Sequence, residues 1–260
     1  MILHLLAVGD VVSESGLDFL NRNLRRIKQE HDVQFTVVNG ENAAGIGVLP
    51  DQVEVMFDAG ADVVTLGNHT WGKMKINRYL DDCHYLLRPA NFAHRLPGQG
   101  HGVYDGPMGL RIGVMNLIGR VSMDPNVDNP FQKADQILHQ LEGKADLIFI
   151  DFHAEATSEK LAMGWYLDGR ASAVWGTHTH VPTADAKILP GGTGYVTDLG
   201  MTGPADSVLG IRPADSINKF LGGLPRRYEA AEGPCKMECV LFSIDTKTKR
   251  CVDVRRLDTL

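Results

Sequence analysis

The segment GTHTH at residues 176–180 places two histidines, His178 and His180, two positions apart and directly after the apolar run SAVW. Side chains at positions i and i+2 of an extended chain point to the same side, so the two imidazoles could bind one metal ion. The alternative is that two polar residues simply begin a loop, because short motifs often occur without a function. The remainder of the chain has to decide between a metal site and a loop.

Further side chains that can bind metals follow other apolar runs. They occur in AVGD, VVNGEN, VTLGNH and IFIDFH, and they are Asp10, Glu41, Asn42, Asn68, His69 and His153. Taken singly, several have plainer explanations: Asp10 as a helix cap, the asparagines as turn residues, and His153 as a histidine of the core. Their repeated position after predicted strands favours a common site.

The types of these side chains indicate which metals such a site would take. Two carboxylates, two amide oxygens and three imidazoles exceed the needs of one zinc-like ion and match two ions bridged by one carboxylate. A set of nitrogen and oxygen ligands without thiolate favours iron, manganese or zinc over calcium or copper(I).

The elements that must position these residues can be predicted from apolar runs and periodicity. The predicted strands lie at 2–8, 35–39, 62–66, 111–117, 146–150, 172–175, 194–198 and 239–244, and the predicted helices at 16–31, 51–58 and 133–142. Alternating strands and helices predict βαβ units in the first part of the chain, whereas the C-terminal third predicts loops plus further strands. In open α/β folds the ligand crevice lies beyond the carboxyl ends of the strands, so the donors are expected to converge there.

Length and composition limit the class of protein. A chain of 260 residues can bury a full core, and we expect a single domain over residues 1–260. The net charge of -6 argues against stable binding to duplex nucleic acid. The apolar run in MILHLLAVGD is too short for a membrane-spanning helix or a signal peptide, which predicts a cytoplasmic protein without membrane contact. Four cysteines without a C-x-x-C pair are typical of reduced thiols.

The ordered blocks GD, GEN, GNHT, a lone histidine after a strand, and GTHTH resemble those of the calcineurin-like metallophosphoesterases. The segments GENAAGIG, TLGNHTW, DFHAEATSEK, GTHTHVPTAD and GYVTDLGMTGP are similar to the YmdB-type branch, bacterial phosphodiesterases associated with 2′,3′-cyclic nucleotides. The resemblance covers essentially the whole chain. It implies an α/β fold, a metallophosphoesterase-like sandwich of two central mixed β-sheets flanked by helices, and a metal-dependent phosphoric ester hydrolase.

The resemblance also implies a role for each donor. The ligands of one ion would be Asp10, Glu41, Asn42 and His180, and those of the second would be Glu41 as the bridge, Asn68, His153 and His178. Iron is the preferred metal, with manganese or zinc as alternatives. His69 would face the substrate as the general acid, and its alternative is a structural or ligand-orienting role.

Two positions depart from the wider family. Val12 stands where that family has a histidine ligand, and Asn42 is the natural substitute for it. Thr70 follows His69 where an acidic residue is common, which leaves the residue that orients His69 open.

In the implied mechanism, two cations lower the pKa of a bridging water, and the resulting hydroxide attacks phosphorus in line. His69 would donate a proton to the departing ribose alkoxide, since histidine exchanges protons near neutral pH. The substrate would be a small cyclic nucleotide of the 2′,3′-cyclic class. The alternatives are a phosphomonoesterase or phosphoprotein phosphatase using the same site, or a regulatory protein with a mainly structural metal site.

Other charged residues of the same segments are assigned lesser roles. Arg120 and Arg170 are candidates for phosphate contact, although arginines in loops are usually surface charge. Glu155 and Lys160 are interpreted as a solvated helix start, and Asp198 as a residue that at most supports a ligand. The expected partner is a small phosphate ester, and a homo-oligomer stays open.

Overall fold

The computed structural model of the protein describes residues 1–123, 126–224 and 229–259, which form two β-sheets with helices packed against them. In chain order, the α-helices of these residues are α1 (Ser13–Glu30), α2 (Pro50–Ala59), α3 (Ile76–Asp82), α4 (Pro130–Leu141), α5 (Thr157–Leu167) and α6 (Pro213–Phe220). A short 3-10 helix covers Pro107–Gly109.

The strands of the described residues range from two to eleven residues in length. In chain order they are β1 (Ile2–Val8), β2 (Asp10–Val11), β3 (Phe35–Asn39), β4 (Val63–Thr65), β5 (Leu86–Leu87), β6 (His101–Asp105), β7 (Arg111–Ile118), β8 (Leu147–His153), β9 (Ala173–Thr177), β10 (Lys187–Ile188), β11 (Gly194–Val196), β12 (Met201–Pro204), β13 (Cys235–Asp245) and β14 (Cys251–Thr259).

Both sheets are mixed. The first has the order β2-β12-β13-β1-β3-β4-β5, with β14 paired to β13, and its strands β1, β3, β4 and β5 are parallel. The second has the order β10-β11-β9-β8-β7-β6, in which β7, β8, β9 and β11 are parallel and the edge strands are antiparallel. The predicted fold class, two mixed sheets flanked by helices, is confirmed.

The core is divided into layers because alternate residues of a strand point to opposite faces. On β1, Leu6 and Val8 pack against α1 and α2, whereas Leu5 and Ala7 pack into the cluster shared with the second sheet. A third cluster joins the other face of the second sheet to α4 and α5. The sheets are therefore buried on both faces, which explains why their strands are near-continuous apolar runs.

Each predicted strand and helix is present with small shifts of its ends. The apolar face predicted for the first helix is buried in α1, where Leu17, Leu20, Leu24 and Ile27 are at most 5% exposed. Elements that the apolar pattern did not predict are β2, β5, β6, β10, β12, β14, α3, α5 and α6. No described helix has both the length and the apolar character that crossing a membrane would need.

Candidate metal centre

The predicted ligands lie at or just beyond the carboxyl ends of strands, and each sheet contributes some of them. The first sheet supplies the residues that follow β1, β3 and β4, and the second supplies those at the ends of β8 and β9. The residues that meet there are Asp10, Glu41, Asn42, Asn68, His69, His153, His178 and His180. The convergence expected from the strand ends is present, and it joins the two sheets.

Three further ligand atoms surround the Nε2 atom of His153. Its Nε2 lies 2.7 Å from Glu41 Oε2, 3.0 Å from Asn68 Oδ1 and 3.0 Å from His178 Nδ1. These four residues are the ones that the family resemblance implies for the second ion. Such separations suit atoms that share one cation, which each would bind at about 2.0–2.2 Å.

The protonation of His153 supports a cation at this point. Thr177 Oγ1 donates to Asp151 Oδ1 at 2.7 Å, so its oxygen can accept from His153 Nδ1 at 2.9 Å. A proton on Nδ1 leaves a lone pair on Nε2, and that lone pair faces the Glu41 carboxylate oxygen. Two acceptors 2.7 Å apart repel each other unless a metal ion or a proton lies between them.

Two buried carboxylate oxygens strengthen the fit. Asp10 Oδ1 and Glu41 Oε2 are buried and make no hydrogen bond within the described part of the chain. Asp10, Glu41 and His153 each offer a ligand atom, and these atoms all lie within 4.8 Å of one another. Since an unpartnered buried carboxylate is costly, this group fits a metal ion.

The space between these ligands also explains a glycine. A Cβ at Gly67 would lie 2.1 Å from Glu41 Oε2 and 2.3 Å from His153 Nε2. Any other residue at position 67 would therefore fill the space in which the carboxylate and the imidazole meet.

The group implied for the first ion is more open. His180 Nε2 lies 3.8 Å from Asp10 Oδ1 and 3.2 Å from Asn42 Nδ2. The amide nitrogen of Asn42 faces the imidazole, whereas its Oδ1 lies 3.0 Å from His69 Nδ1. An oxygen ligand from Asn42 would therefore require the amide to rotate by half a turn, and its role as a ligand stays a prediction.

Burial controls the protonation of the site. It raises the pKa of Asp10 well above its usual value, and the negative charge of Glu41 raises it further. Burial likewise raises the pKa of Glu41. Burial lowers the pKa values of His153 and His180, and lowers that of His178 to about 4. Without a cation, the site therefore favours protonated acids and neutral imidazoles.

The backbone of the GTHTH segment differs from the extended chain expected for it. Strand β9 ends at Thr177, and His178 and His180 have φ values of 104° and 60°. The His178 amide donates to Asp10 Oδ2 at 3.2 Å, and His180 Nδ1 donates to the Leu209 carbonyl at 3.2 Å. This turn and its hydrogen bonds bring the two imidazoles together. The expectation that they share one side of an extended strand is therefore wrong.

The interpretation of Lys160 as part of a solvated helix start is wrong. The side chain is 2% exposed and its Nζ lies 2.6 Å from Asp198 Oδ2. That carboxylate oxygen also accepts from the Thr179 hydroxyl at 2.8 Å. The buried pair thus holds the residue between the two histidines, which gives Asp198 a supporting role. Glu155 is half exposed, and its Oε2 lies 3.1 Å from His178 Nε2.

His69 lies on the open side of the site, and its side chain is 38% exposed. Its backbone amide donates to Glu41 Oε1, and its Nδ1 lies 3.0 Å from Asn42 Oδ1 and 3.4 Å from Glu41 Oε1. The residues that orient His69 are therefore Asn42 and Glu41. Thr70 is buried and donates to the Gly67 carbonyl at 2.7 Å, which stabilises the turn.

The two arginines occupy different ends of the second sheet. Arg170 precedes β9 and pairs with Asp135 at 2.6 Å, so it lies at the end of the strand opposite His178. Its position does not support contact with a phosphate at the candidate centre. Arg120 follows β7 at the end where the ligands converge, and it is exposed.

Sequence reasoning did not identify Thr177 and Asp151 as residues of the site. Asp151 accepts from Thr65, Thr177 and Asn39 at 2.5, 2.7 and 3.1 Å. A usable signal was the spacing in DFH, because positions 151 and 153 of a strand point to the same face.

Comparison with known proteins agrees with this geometry. Residues 6–257 match the YmdB-like protein family. The chain is 46% identical over 256 residues to the 2′,3′-cyclic-nucleotide 2′-phosphodiesterase of Bacillus subtilis, covering 98% of this chain and 96% of that protein.

Two solved structures are also similar. A hypothetical protein from Thermus thermophilus is 37% identical, with a TM-score of 0.89 and coverage of 99% of this chain and 100% of that chain. A novel phosphatase from Mycoplasma pneumoniae is 33% identical, with a TM-score of 0.91 and coverage of 99% and 93%. The ordered motifs, the two-sheet fold and these likenesses lead to one conclusion: the chain belongs to the YmdB-like family of metallophosphoesterases.

Proposed function

We propose that this protein is a two-metal phosphodiesterase that hydrolyses small 2′,3′-cyclic nucleotides, with His69 as the general acid. The observation that carries the proposal is the clustering of Glu41, Asn68 and His178 around His153 Nε2, beside a half-exposed histidine. The protein is a phosphoric ester hydrolase, as its family membership and relatives establish. The Bacillus subtilis relative is named for action on 2′,3′-cyclic nucleotides, which supports the narrower substrate class.

The proposed metal ligands are those carried over from the family. One ion would be held by Asp10, Glu41, Asn42 and His180, and the other by Glu41, Asn68, His153 and His178. Iron is our first choice and manganese or zinc the alternatives, since the ligands are nitrogen and oxygen atoms. Bound cations at this site would activate water at neutral pH and offset the charge of the phosphate oxygens.

The residues of the chain supply orientation and a proton. Thr177 and Asp151 hold His153 with its Nε2 directed into the site. Glu41 and Asn42 hold the His69 ring at the open side through its Nδ1. A protonated His69 can therefore donate its proton to the departing ribose oxygen, which leaves as a hydroxyl and is a poor leaving group without such help.

The first experiment combines elemental analysis with hydrolysis of 2′,3′-cyclic AMP by wild type, His69→Ala and His139→Ala. His139 is a matched control, because its side chain on α4 is 83% exposed and its ion pair within the described residues is with Glu142, which is not a predicted ligand. We expect about two ions per chain in all three proteins. We expect His69→Ala to lose about 10²- to 10⁴-fold in kcat, the usual contribution of proton transfer, and His139→Ala to lose nothing.

Other outcomes select the alternatives. Hydrolysis of p-nitrophenyl phosphate without hydrolysis of the cyclic ester would favour a phosphomonoesterase. Two ions with no turnover of either compound would favour a regulatory protein. Absence of bound transition metal after reconstitution with iron or manganese would reject the two-metal site.

A further inference from the structure

A cavity apart from the candidate metal centre lies between the segment 88–101 and helix α4. Its volume is about 250 Å³, and no predicted metal ligand lines it, nor does His69. Its cationic and titratable lining consists of Arg88, His94, His101 and Lys133, and three glutamine side chains add amide groups. The cavity is therefore separate from the candidate metal centre in the residues that form it.

The lining of this cavity has the opposite charge from the whole protein. The chain carries a net charge of -6, yet none of the described residues that line the cavity is acidic. Lys133 has one carboxylate near it, Asp128, which lies 3.7 Å away and outside the lining. A basic cavity on an acidic protein attracts small anions.

Arg88 is the most buried of these cations. It is 4% exposed, and its guanidinium donates to the carbonyls of Pro89, Leu96 and Pro97 at 2.8, 3.3 and 3.0 Å. Within the described residues no carboxylate forms a salt bridge with it. Carbonyl dipoles satisfy three of its five N–H groups. Burial lowers the pKa of Arg88, and the charge of Asp81 acts on it without forming an ion pair, so a further anion would stabilise the guanidinium.

The protonation of His101 reports the same positive environment. Burial lowers the pKa of this ring, and the charges of Lys144 and Lys133 lower it further. A hydrogen bond with the Gln140 side chain partly offsets this shift, so the ring of His101 helps to position that glutamine at the wall of the cavity.

We propose that this cavity is a binding site for a small phosphate-bearing anion, with Arg88 and Lys133 supplying the charge and the glutamine amides supplying hydrogen bonds. Arginine is suited to phosphate because its planar fork binds two oxygens at once. The volume is below the roughly 300–1,000 Å³ typical of sites for drug-sized ligands. The ligand is therefore inorganic phosphate or a small phosphorylated metabolite, bound apart from the hydrolysed substrate.

The test uses calorimetric titration of inorganic phosphate into the metal-loaded protein. Gln136→Glu places a carboxylate in the cavity wall without removing a buried group, and Lys133→Met removes one cation. Gln29→Glu is the matched control, because it makes the same change at an exposed position on α1. Malonate, titrated in the same way, distinguishes a carboxylate ligand from a phosphate ligand.

We expect a phosphate-binding component in wild type and in Gln29→Glu that weakens at least tenfold in Gln136→Glu and in Lys133→Met. Metal content and hydrolysis of 2′,3′-cyclic AMP should be unchanged in all variants, because phosphate bound at the metal centre would not respond to these substitutions. Identical phosphate isotherms in the four proteins would overturn the proposal. So would binding of malonate without binding of phosphate.

Discussion

At the scale of single residues, the candidate centre depends on a few buried groups whose charge states are coupled to a cation. Asp10 Oδ1 and Glu41 Oε2 are buried without hydrogen bonds in the described part of the chain, and burial raises the pKa of both acids. Burial has the opposite effect on the imidazoles: it lowers the pKa values of His153 and His180, and it lowers the pKa of His178 to about 4. Protons therefore compete with a metal mainly at the carboxylates.

This contrast predicts the pH dependence of metal binding. A carboxylate with a raised pKa takes up a proton at a higher pH, so the apparent affinity for Mn²⁺ should fall as the solution becomes more acidic. The imidazoles, whose pKa values burial lowers, should contribute less to the loss. Calorimetric titration of chelator-treated protein at several pH values measures the effect, and an affinity independent of pH would contradict it.

The hydrogen bonds that connect Asp151, Thr177 and His153 lead to a second prediction. Thr177→Val keeps the shape of the side chain but removes the oxygen that orients His153 Nδ1. Loss of such a group typically lowers metal affinity about 10- to 100-fold. Competition with a chelator measures this change.

The matched control for that substitution is Thr36→Val on β3. Thr36 is equally buried, but its Oγ1 has no hydrogen-bond partner in the described structure. We expect Thr36→Val to retain the metal affinity of wild type. Equal losses in the two variants would show that the effect comes from packing and not from orientation of His153.

At the scale of elements, the turn after β9 is stabilised from outside by helix α5. The turn carries His178 and His180 in positive φ, a conformation that non-glycine residues rarely adopt. Lys160 on α5 binds Asp198, and Asp198 accepts hydrogen bonds from the Thr179 amide and hydroxyl. The helix therefore holds the turn that presents two predicted ligands.

Removal of the lysine from this buried pair tests whether helix α5 stabilises the turn. Lys160→Met leaves the Asp198 carboxylate buried without its cation, which typically costs about 3–5 kcal/mol of the free energy of unfolding. We also expect lower metal occupancy, because the turn loses its support. Urea unfolding and elemental analysis give the two values.

An exposed pair provides the control for Lys160→Met. Arg26 and Glu30 on α1 lie 2.8 Å apart, with side chains 57% and 49% exposed. Arg26→Met should change stability by less than about 1 kcal/mol, as for most surface pairs. A similar small effect of Lys160→Met would refute the supporting role of the pair.

At the scale of the whole molecule, the site exists only when the two sheets are packed together. The first sheet carries the residues after β1, β3 and β4, and the second carries His153 and the turn after β9. Between the sheets, the Trp175 ring of β9 lies 5.9 Å from the Phe242 ring of β13, within a buried apolar cluster. The single domain expected over residues 1–260 stays a prediction, which an unfolding experiment can test.

A single domain should unfold in one cooperative transition. Trp175→Ala should lower the free energy of unfolding by about 3–5 kcal/mol, because it leaves a cavity between the sheets. Trp165→Ala is the control, since that side chain on α5 is 55% exposed. Fluorescence and circular dichroism followed in urea should give the same midpoint. Two separated transitions would reject the single domain.

The sequence by itself determined eight of the described strands and the metal-binding residue types at the ends of five of them. Long apolar runs such as 35–39 and 239–244 could be assigned because a strand buried on both faces must be apolar throughout. Two-residue strands such as β5 and β10 are too short for a pattern to indicate them. The donors after β1, β3, β4, β8 and β9 could be expected to converge because parallel strands end at the same edge of a sheet.

Only the tertiary structure decided how those residues are held. Lys160 is polar and near a helix start, so its sequence position favoured exposure, yet it is buried against Asp198, 38 residues away. Asn39 reaches Asp151 across 112 residues and links the two sheets behind the site. Such contacts join residues that are distant in the chain, and local periodicity carries no information about them. The packing of one sheet on the other determines which polar groups become buried partners.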